Sequence, residues 1–195
     1  MLQFITAQSD KYTLLQEVEM VIAGGCRWIE LRMDHVRADE RKAAMRAAAE
    51  EIKSACKESD AFPIINGDVE LAIEAECHGV HLNRGDMSPI EAREKMGPAA
   101  VIGVTVDSAD EIIALKNKDI DYVTLDTDNI GSIRDIIATV RQAGVKMPVV
   151  AAGNVTVETV PPLMDAGVSG VAASRSILEA TDPADYTRQL LSECR

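Results

Sequence analysis

Short runs rich in valine and isoleucine alternate along the chain with longer amphipathic stretches, and that alternation predicts repeated strand and helix units around a parallel sheet. Eight runs read as strands, over residues 2–6, 28–32, 63–66, 79–82, 101–105, 122–125, 148–152 and 170–173. Helices are predicted between and after them, over 12–23, 38–58, 69–77, 89–96, 109–116, 132–143, 159–166 and 184–193. Punctuation agrees with these bounds. Asp68 and Ser108 stand at N-cap positions, Ser108 has Glu111 three residues on as a capping box, and Ser88 precedes Pro89 at the first helical position. Gly24, Gly97, Gly144 and Gly167 each follow a helical pattern, as expected of left-handed residues that close helices.

Eight such units in 195 residues predict one compact (β/α)8 TIM barrel over residues 1–195, with short loops, since these barrels usually take about 200 to 250 residues. A doubly wound open sheet is the alternative. It calls for a glycine-rich phosphate fingerprint after its first strand, and Ala7-Gln8-Ser9-Asp10 is not one.

With 47% hydrophobic and 27% charged residues, the composition excludes disorder and fibrous repeats. The formal charge of −12 repels polyphosphate backbones and anionic lipid surfaces, so no nucleic acid and no membrane partner is expected. No apolar run approaches the roughly 20 residues of a membrane span, and residues 1–5 carry no basic leader, so the expected location is cytoplasmic. Cys26, Cys56, Cys77 and Cys194 are widely spaced and read as reduced, mostly buried thiols.

In a barrel the chemistry sits at the C-terminal strand ends. On the second strand Trp28, Glu30, Arg32 and Asp34 share one face by period two, opposite Ile29, Leu31 and Met33, so a charged ladder is expected to face the barrel axis. Glu30 and Arg32 could form an internal pair. Alternatively Arg32, at the mouth, can bind phosphate through its planar guanidinium. Asn66 and Thr105 end the third and fifth strands at the same rim. The fourth strand offers His81 inside the barrel, then Arg84 as an anion contact and Asp86 as a metal ligand. His78 and His81 lack the helical spacing of a zinc site. Around Gly153 and at Ser174-Arg175, small residues end the last two strands and a short helix begins, so backbone N–H groups can approach a phosphate.

Taken together, Trp28-Ile29-Glu30-Leu31-Arg32, Ile64-Ile65-Asn66, the stretch from Gly79-Val80-His81-Leu82 to Asp86, Ile102-Gly103-Val104-Thr105 and the closing glycine segments resemble the thiamine phosphate synthase and thiazole tautomerase family. The resemblance implies a (β/α)8 barrel and, for the synthase branch, magnesium-dependent displacement of diphosphate from hydroxymethylpyrimidine diphosphate by the nitrogen of thiazole phosphate. It implies that Arg32 and Asn66 hold the diphosphate, Asp86 binds Mg2+, Thr105 takes the family's serine position and His81 lines the pyrimidine pocket. Gly153 and the Ser174-Arg175 backbone would hold the thiazole phosphate.

The chain departs from the family pattern at four places. Asp34 replaces a basic residue, Glu30 a glutamine, and Gly67 an aspartate, with Asp68 one residue later. After the sixth strand, Asp126-Thr127-Asp128-Asn129-Ile130 stands where the family carries threonines and a lysine. For the tautomerase branch, Asp107 falls at the catalytic histidine and is expected to act as base if buried, with Glu30 as the other base. A non-catalytic binder of a phosphorylated heterocycle is a third reading. A Schiff-base aldolase is disfavoured because the sixth strand carries no lysine. The expected partners are phosphorylated small molecules, and exposed barrel helices are compatible with a homodimer.

Overall fold

The computed structural model describes residues 1–195 except 8, 35, 128 and 195. Gln8 of the first loop and Asp128 of the segment after the sixth strand therefore lie outside the described residues. Strands β1 (Leu2–Ile5), β2 (Trp28–Leu31), β3 (Phe62–Asn66), β4 (Gly79–Leu82), β5 (Val101–Val106), β6 (Tyr122–Asp126), β7 (Val149–Ala152) and β8 (Gly170–Ala173) pair in sequence order, all parallel, into a closed barrel. The outer ring is α1 (Leu14–Ala23), α2 (Ala38–Glu58), α3 (Val69–Glu74), α4 (Pro89–Met96), α5 (Ala109–Ala114), α6 (Ile130–Gln142), α7 (Val160–Asp165), the four-residue α8 (Arg175–Leu178) and α9 (Pro183–Glu193). Closure leaves no sheet edge, which removes the exposed strand of the open-sheet alternative.

Period two divides the strand residues into two cores. Ile29, Leu31, Ile65, Val80, Leu82, Ile102, Val123 and Leu125 point outward and pack under the helices, all essentially inaccessible to water. Removing one such side chain to alanine costs roughly 2–5 kcal/mol. Inside the barrel a separate apolar group forms around Tyr122, Val150 and Ala172, with Met1, Ile5, Trp28, Val101 and Ala152 against it. Trp28 and Tyr122 meet edge to face, with ring centroids 5.6 Å apart. Met1, Trp28, Val101 and Tyr122 place this group at the starts of their strands, and Ile5, Ala152 and Ala172 extend it to the C-terminal mouth.

Most predicted boundaries lie within a few residues of the observed ones, and the differences have local causes. Helix α3 stops at Glu74 because Glu76 adopts φ 54° and Cys77 N–H donates back to Ala72 C=O at 2.9 Å. Ser88, not Ser108, closes a full capping box. Glu111 instead accepts from the N–H of Asp107 at 2.7 Å. Gly24 is not left-handed (φ −73°); its neighbour Gly25 is, at φ 100°. Gly24 serves close approach, because a Cβ there would fall 2.5 Å from Thr187 Cβ on α9. Among the described residues no helix is long and apolar enough to cross a membrane.

Candidate active site

Two groups of side chains meet at the C-terminal mouth. The first lines a cavity of about 290 Å3 that brings together Arg32, Asp34, Asp126, Gly153, Ser174 and Arg175. The Thr6 hydroxyl fixes the start of this rim: it donates to Arg32 C=O at 3.1 Å and accepts from Arg32 N–H at 3.0 Å. Glu17, buried on α1, accepts from Ala7 N–H and Ser9 N–H at 3.3 and 2.6 Å and so ties down the loop after β1.

The Arg32 guanidinium donates from Nε to Asp34 Oδ2, in a pair with side-chain exposures of 42% and 58%. Such an exposed pair contributes at most about 1 kcal/mol, so a multiply charged anion can displace the aspartate. Gly153 follows β7 at φ 116°, a conformation that glycine, lacking a Cβ, adopts without strain. Ser174 spends its hydroxyl on Ile5 C=O at 2.7 Å, joining β8 to β1, which leaves backbone groups for a ligand. A second cavity of about 630 Å3 continues from Gly153 and Arg175 to Asn154, Thr156 and Tyr186.

The second group is a buried polar network. Glu30, 2% exposed, accepts from Gln3 Nε2 at 2.6 Å and from Asn66 Nδ2 at 2.7 Å. Asn83 Nδ2 donates to Asn66 Oδ1 at 2.9 Å. His81 places Nδ1 2.9 Å from the Tyr122 hydroxyl and Nε2 2.8 Å from Thr105 Oγ1. Thr105 Oγ1 lies 3.4 Å from Asn83 Oδ1, and Gln3 Nε2 reaches the Tyr122 hydroxyl at 3.2 Å. Gly103 makes the seat for this phenol, since a Cβ there would stand 2.2 Å from Tyr122 Cζ. Burial first, and the Glu30 charge second, push the Tyr122 phenol far above its ordinary range, so it stays protonated.

The barrel-facing ladder expected on β2 is therefore present, but Glu30 and Arg32 do not pair with each other. Glu30 belongs to the interior network and Arg32 to the mouth. Several expected roles require correction. Arg84, expected as an anion contact, holds Asp107 Oδ2 and Glu111 Oε1 with its Nη2 at 2.7 and 2.8 Å, in exposed pairs like that of Arg32. Asp107 is exposed and held in that ion pair, so the burial its service as a base required is missing. Asp86 stands exposed at the mouth and its Oδ2 accepts from Asn83 N–H at 2.7 Å. Asp68 caps α3 through Leu71 N–H, and no group of three His, Cys, Asp or Glu residues is placed to hold a metal among the described residues. His78 is exposed and stacks edge to face on Phe62, away from His81. All four thiols are free, with Cys26 and Cys56 buried.

Sequence reasoning did not single out Gln3, Asn83 or Tyr122. The signal for Gln3 and Tyr122 was available, because each occupies an inward position of its strand by period two. Asn83 lies beyond β4 and only the folded loop reveals its bonds.

A closed (β/α)8 barrel whose mouth gathers arginines, a left-handed glycine and backbone donors on its last two strands belongs to the class that binds small phosphorylated molecules. The particular family follows from comparison with known proteins. Residues 2–177 match the model of the thiamine monophosphate synthase family, and the chain belongs to that family. It is 35% identical to the thiamine-phosphate synthase of Bacteroides thetaiotaomicron, over 98% of this chain and 96% of that protein. The Bacteroides fragilis thiamine-phosphate synthase is likewise 35% identical, over 98% of both chains. Among solved structures, thiamine phosphate pyrophosphorylase from Pyrococcus furiosus superposes with a TM-score of 0.80 at 24% identity, covering 99% of this chain and 94% of that one, which shows the fold.

Proposed function

We propose that the protein is a transferase of thiamine biosynthesis that couples hydroxymethylpyrimidine diphosphate with thiazole phosphate and releases diphosphate. In this reaction the thiazole nitrogen forms a bond to the pyrimidine methylene carbon as the bond from that carbon to the diphosphate oxygen breaks, its electron pair leaving on the diphosphate. The observation that carries the reading is the mouth cavity that brings Arg32 together with Gly153 and Arg175. Two anions can thus be held at one mouth, one beside the end of β2 and one beside the ends of β7 and β8.

Arg32 holds the leaving diphosphate and stabilises the charge that grows on it, with Asn66 on β3 and Thr105 on β5 as neutral donors. Gly153 and the Ser174-Arg175 backbone hold the thiazole phosphate. His81, 3% exposed, forms the floor on which the pyrimidine rests. The site fits a magnesium ion that arrives on the substrate, since Mg2+ commonly takes only one or two protein carboxylates and fills its shell with phosphate oxygen and water. Asp86 would hold it, and the missing Cβ of Gly67, whose position lies 3.4 Å from Asp86 Oδ2, leaves space beside that carboxylate. The ion would offset diphosphate charge.

The tautomerase reading is less well supported, because Asp107 is exposed in an ion pair and both Glu30 oxygens are occupied by amide donors. The test is formation of thiamine phosphate by the purified protein with both substrates and magnesium. Turnover is expected, and Arg32→Ala should lower it by roughly a hundredfold or more while the fold is retained. No turnover, with thiazole phosphate still bound in calorimetry, would replace the transferase by a binding protein.

A further inference from the structure

The interior network is a closed ring whose hydrogen bonds share one direction, with Gln3 Oε1 left without a partner among the described residues. A carboxylate only accepts, so Glu30 forces both Gln3 and Asn66 to turn their NH2 groups toward it. Two chains of consequence then run outward. On one side, Gln3 Nε2 also faces the Tyr122 oxygen at 3.2 Å, so that oxygen accepts and its own hydrogen goes to His81 Nδ1. Nδ1 is therefore unprotonated, the imidazole hydrogen sits on Nε2, and Nε2–H donates to Thr105 Oγ1. On the other side, Asn66 presents Oδ1 to the NH2 of Asn83, so Asn83 turns Oδ1 toward Thr105. The two chains meet at Thr105 without conflict: it accepts from His81 and donates to Asn83.

We infer that Gln3, Glu30 and Tyr122 are positioning residues that hold His81 neutral, with its hydrogen on Nε2, and thereby fix the Thr105 hydroxyl as a donor. Gln3, Glu30, His81 and Tyr122 are at most 3% exposed. Asn66, Asn83 and Thr105 are half-buried and form the edge of the ring that a ligand meets. The link from Thr105 to Asn83 is the longest in the ring, at 3.4 Å. It is the one that an incoming anionic oxygen would replace, taking a hydroxyl already polarised by the imidazole behind it. The groups facing the imidazole are Tyr122 on β6, Thr105 on β5 and the Glu30 carboxylate on β2, whose Oε2 lies 3.9 Å from Nδ1. Among the described residues Nδ1 has one hydrogen-bonding partner, the Tyr122 hydroxyl.

The tautomer rests on this geometry alone; the use of Thr105 as a diphosphate donor rests on the proposed function. The experiment is imidazole 1H–15N correlation spectroscopy of the 15N-labelled protein at neutral pH, with the His81 signals identified by their loss in His81→Asn. A protonated Nε2 and a bare Nδ1 are expected. A ring protonated on Nδ1, or on both nitrogens, overturns the inference. Glu30→Gln keeps the shape but has one acceptor where two donors converge, so one amide must turn, and loss of the single tautomer is expected. Retention of the same tautomer in Glu30→Gln would remove Glu30 from control. Binding of inorganic pyrophosphate, measured by calorimetry, should weaken about tenfold in Tyr122→Phe, and unchanged affinity would separate the ring from the ligand site. A correct tautomer in a protein that forms no thiamine phosphate would sink the proposed function and leave the tautomer standing.

Discussion

The two halves of the barrel mouth solve the same problem by opposite means. Between β2 and β6 the rim is built from side chains locked to one another: Glu30, Asn66, His81, Asn83 and Thr105 each hold a neighbour within 3.4 Å. Between β7 and β8 the side chains are small, and Ala152, Gly153 and Ala172 line the cavity. A side-chain ring fixes direction and protonation, at the risk that one substitution orphans several buried groups. A backbone cradle has no tautomer to set. Its weakness is bulk, since Gly153 itself lines the cavity.

The contrast is broken most directly at Glu30. Glu30→Ala strands the amide donors of Gln3 and Asn66 and leaves a void, so urea denaturation should show a loss of roughly 2–5 kcal/mol. A loss under about 1 kcal/mol would mean that water replaces the carboxylate and that the ring is not a closed unit. On the cradle side, Gly153→Val forces a β-branched residue to φ 116° and should cost about 1–3 kcal/mol while weakening thiazole phosphate binding. Normal affinity in that variant would remove Gly153 from the phosphate site.

A third expectation concerns the thiols outside both halves. Burial pushes Cys26, Cys56 and Cys77 up to about 11. The folded state therefore keeps protons that the unfolded chain loses first. Their contribution is fully present below about pH 9 and is lost as pH rises toward 11, so stability should fall across that window. Alkylation of Cys26 and Cys56 at pH 7 should be slow in the native protein, and rapid labelling would contradict their burial. The smallest effect belongs to Asp107→Asn, which only loosens the exposed Arg84 pair. Stability should move by less than about 0.5 kcal/mol and turnover should stay unchanged. A large drop in turnover would restore Asp107 to the chemistry.

The alternation of runs made the eight strands legible, because a strand with one face under helices and one face in a barrel must carry period-two patterning. Arg32, Asn66, Thr105 and Gly153 were legible as rim residues for the same reason: each stands within a residue of a strand's C-terminal end. The pairing of these residues was not legible. Spacing along β2 places Glu30 and Arg32 on one face, yet their partners, Gln3, Asn66 and Asp34, come from two other strands and the following loop. Arg84 and Asp107 looked equally exposed to ligand in the linear chain, and only the approach of the loops after β4 and β5 joins them.

The sequence by itself determined the local choices: which segments become strand or helix, which caps start them, and which residues stand at the mouth. Those depend on neighbours within a few positions and on the periodicity of burial. Barrel closure decided the rest, by bringing β1 beside β8 and setting Gln3, Tyr122 and His81 within hydrogen-bonding reach across the axis. Contacts between residues as far apart as 119 positions have no signature in local patterning, because their geometry exists only once the barrel has closed.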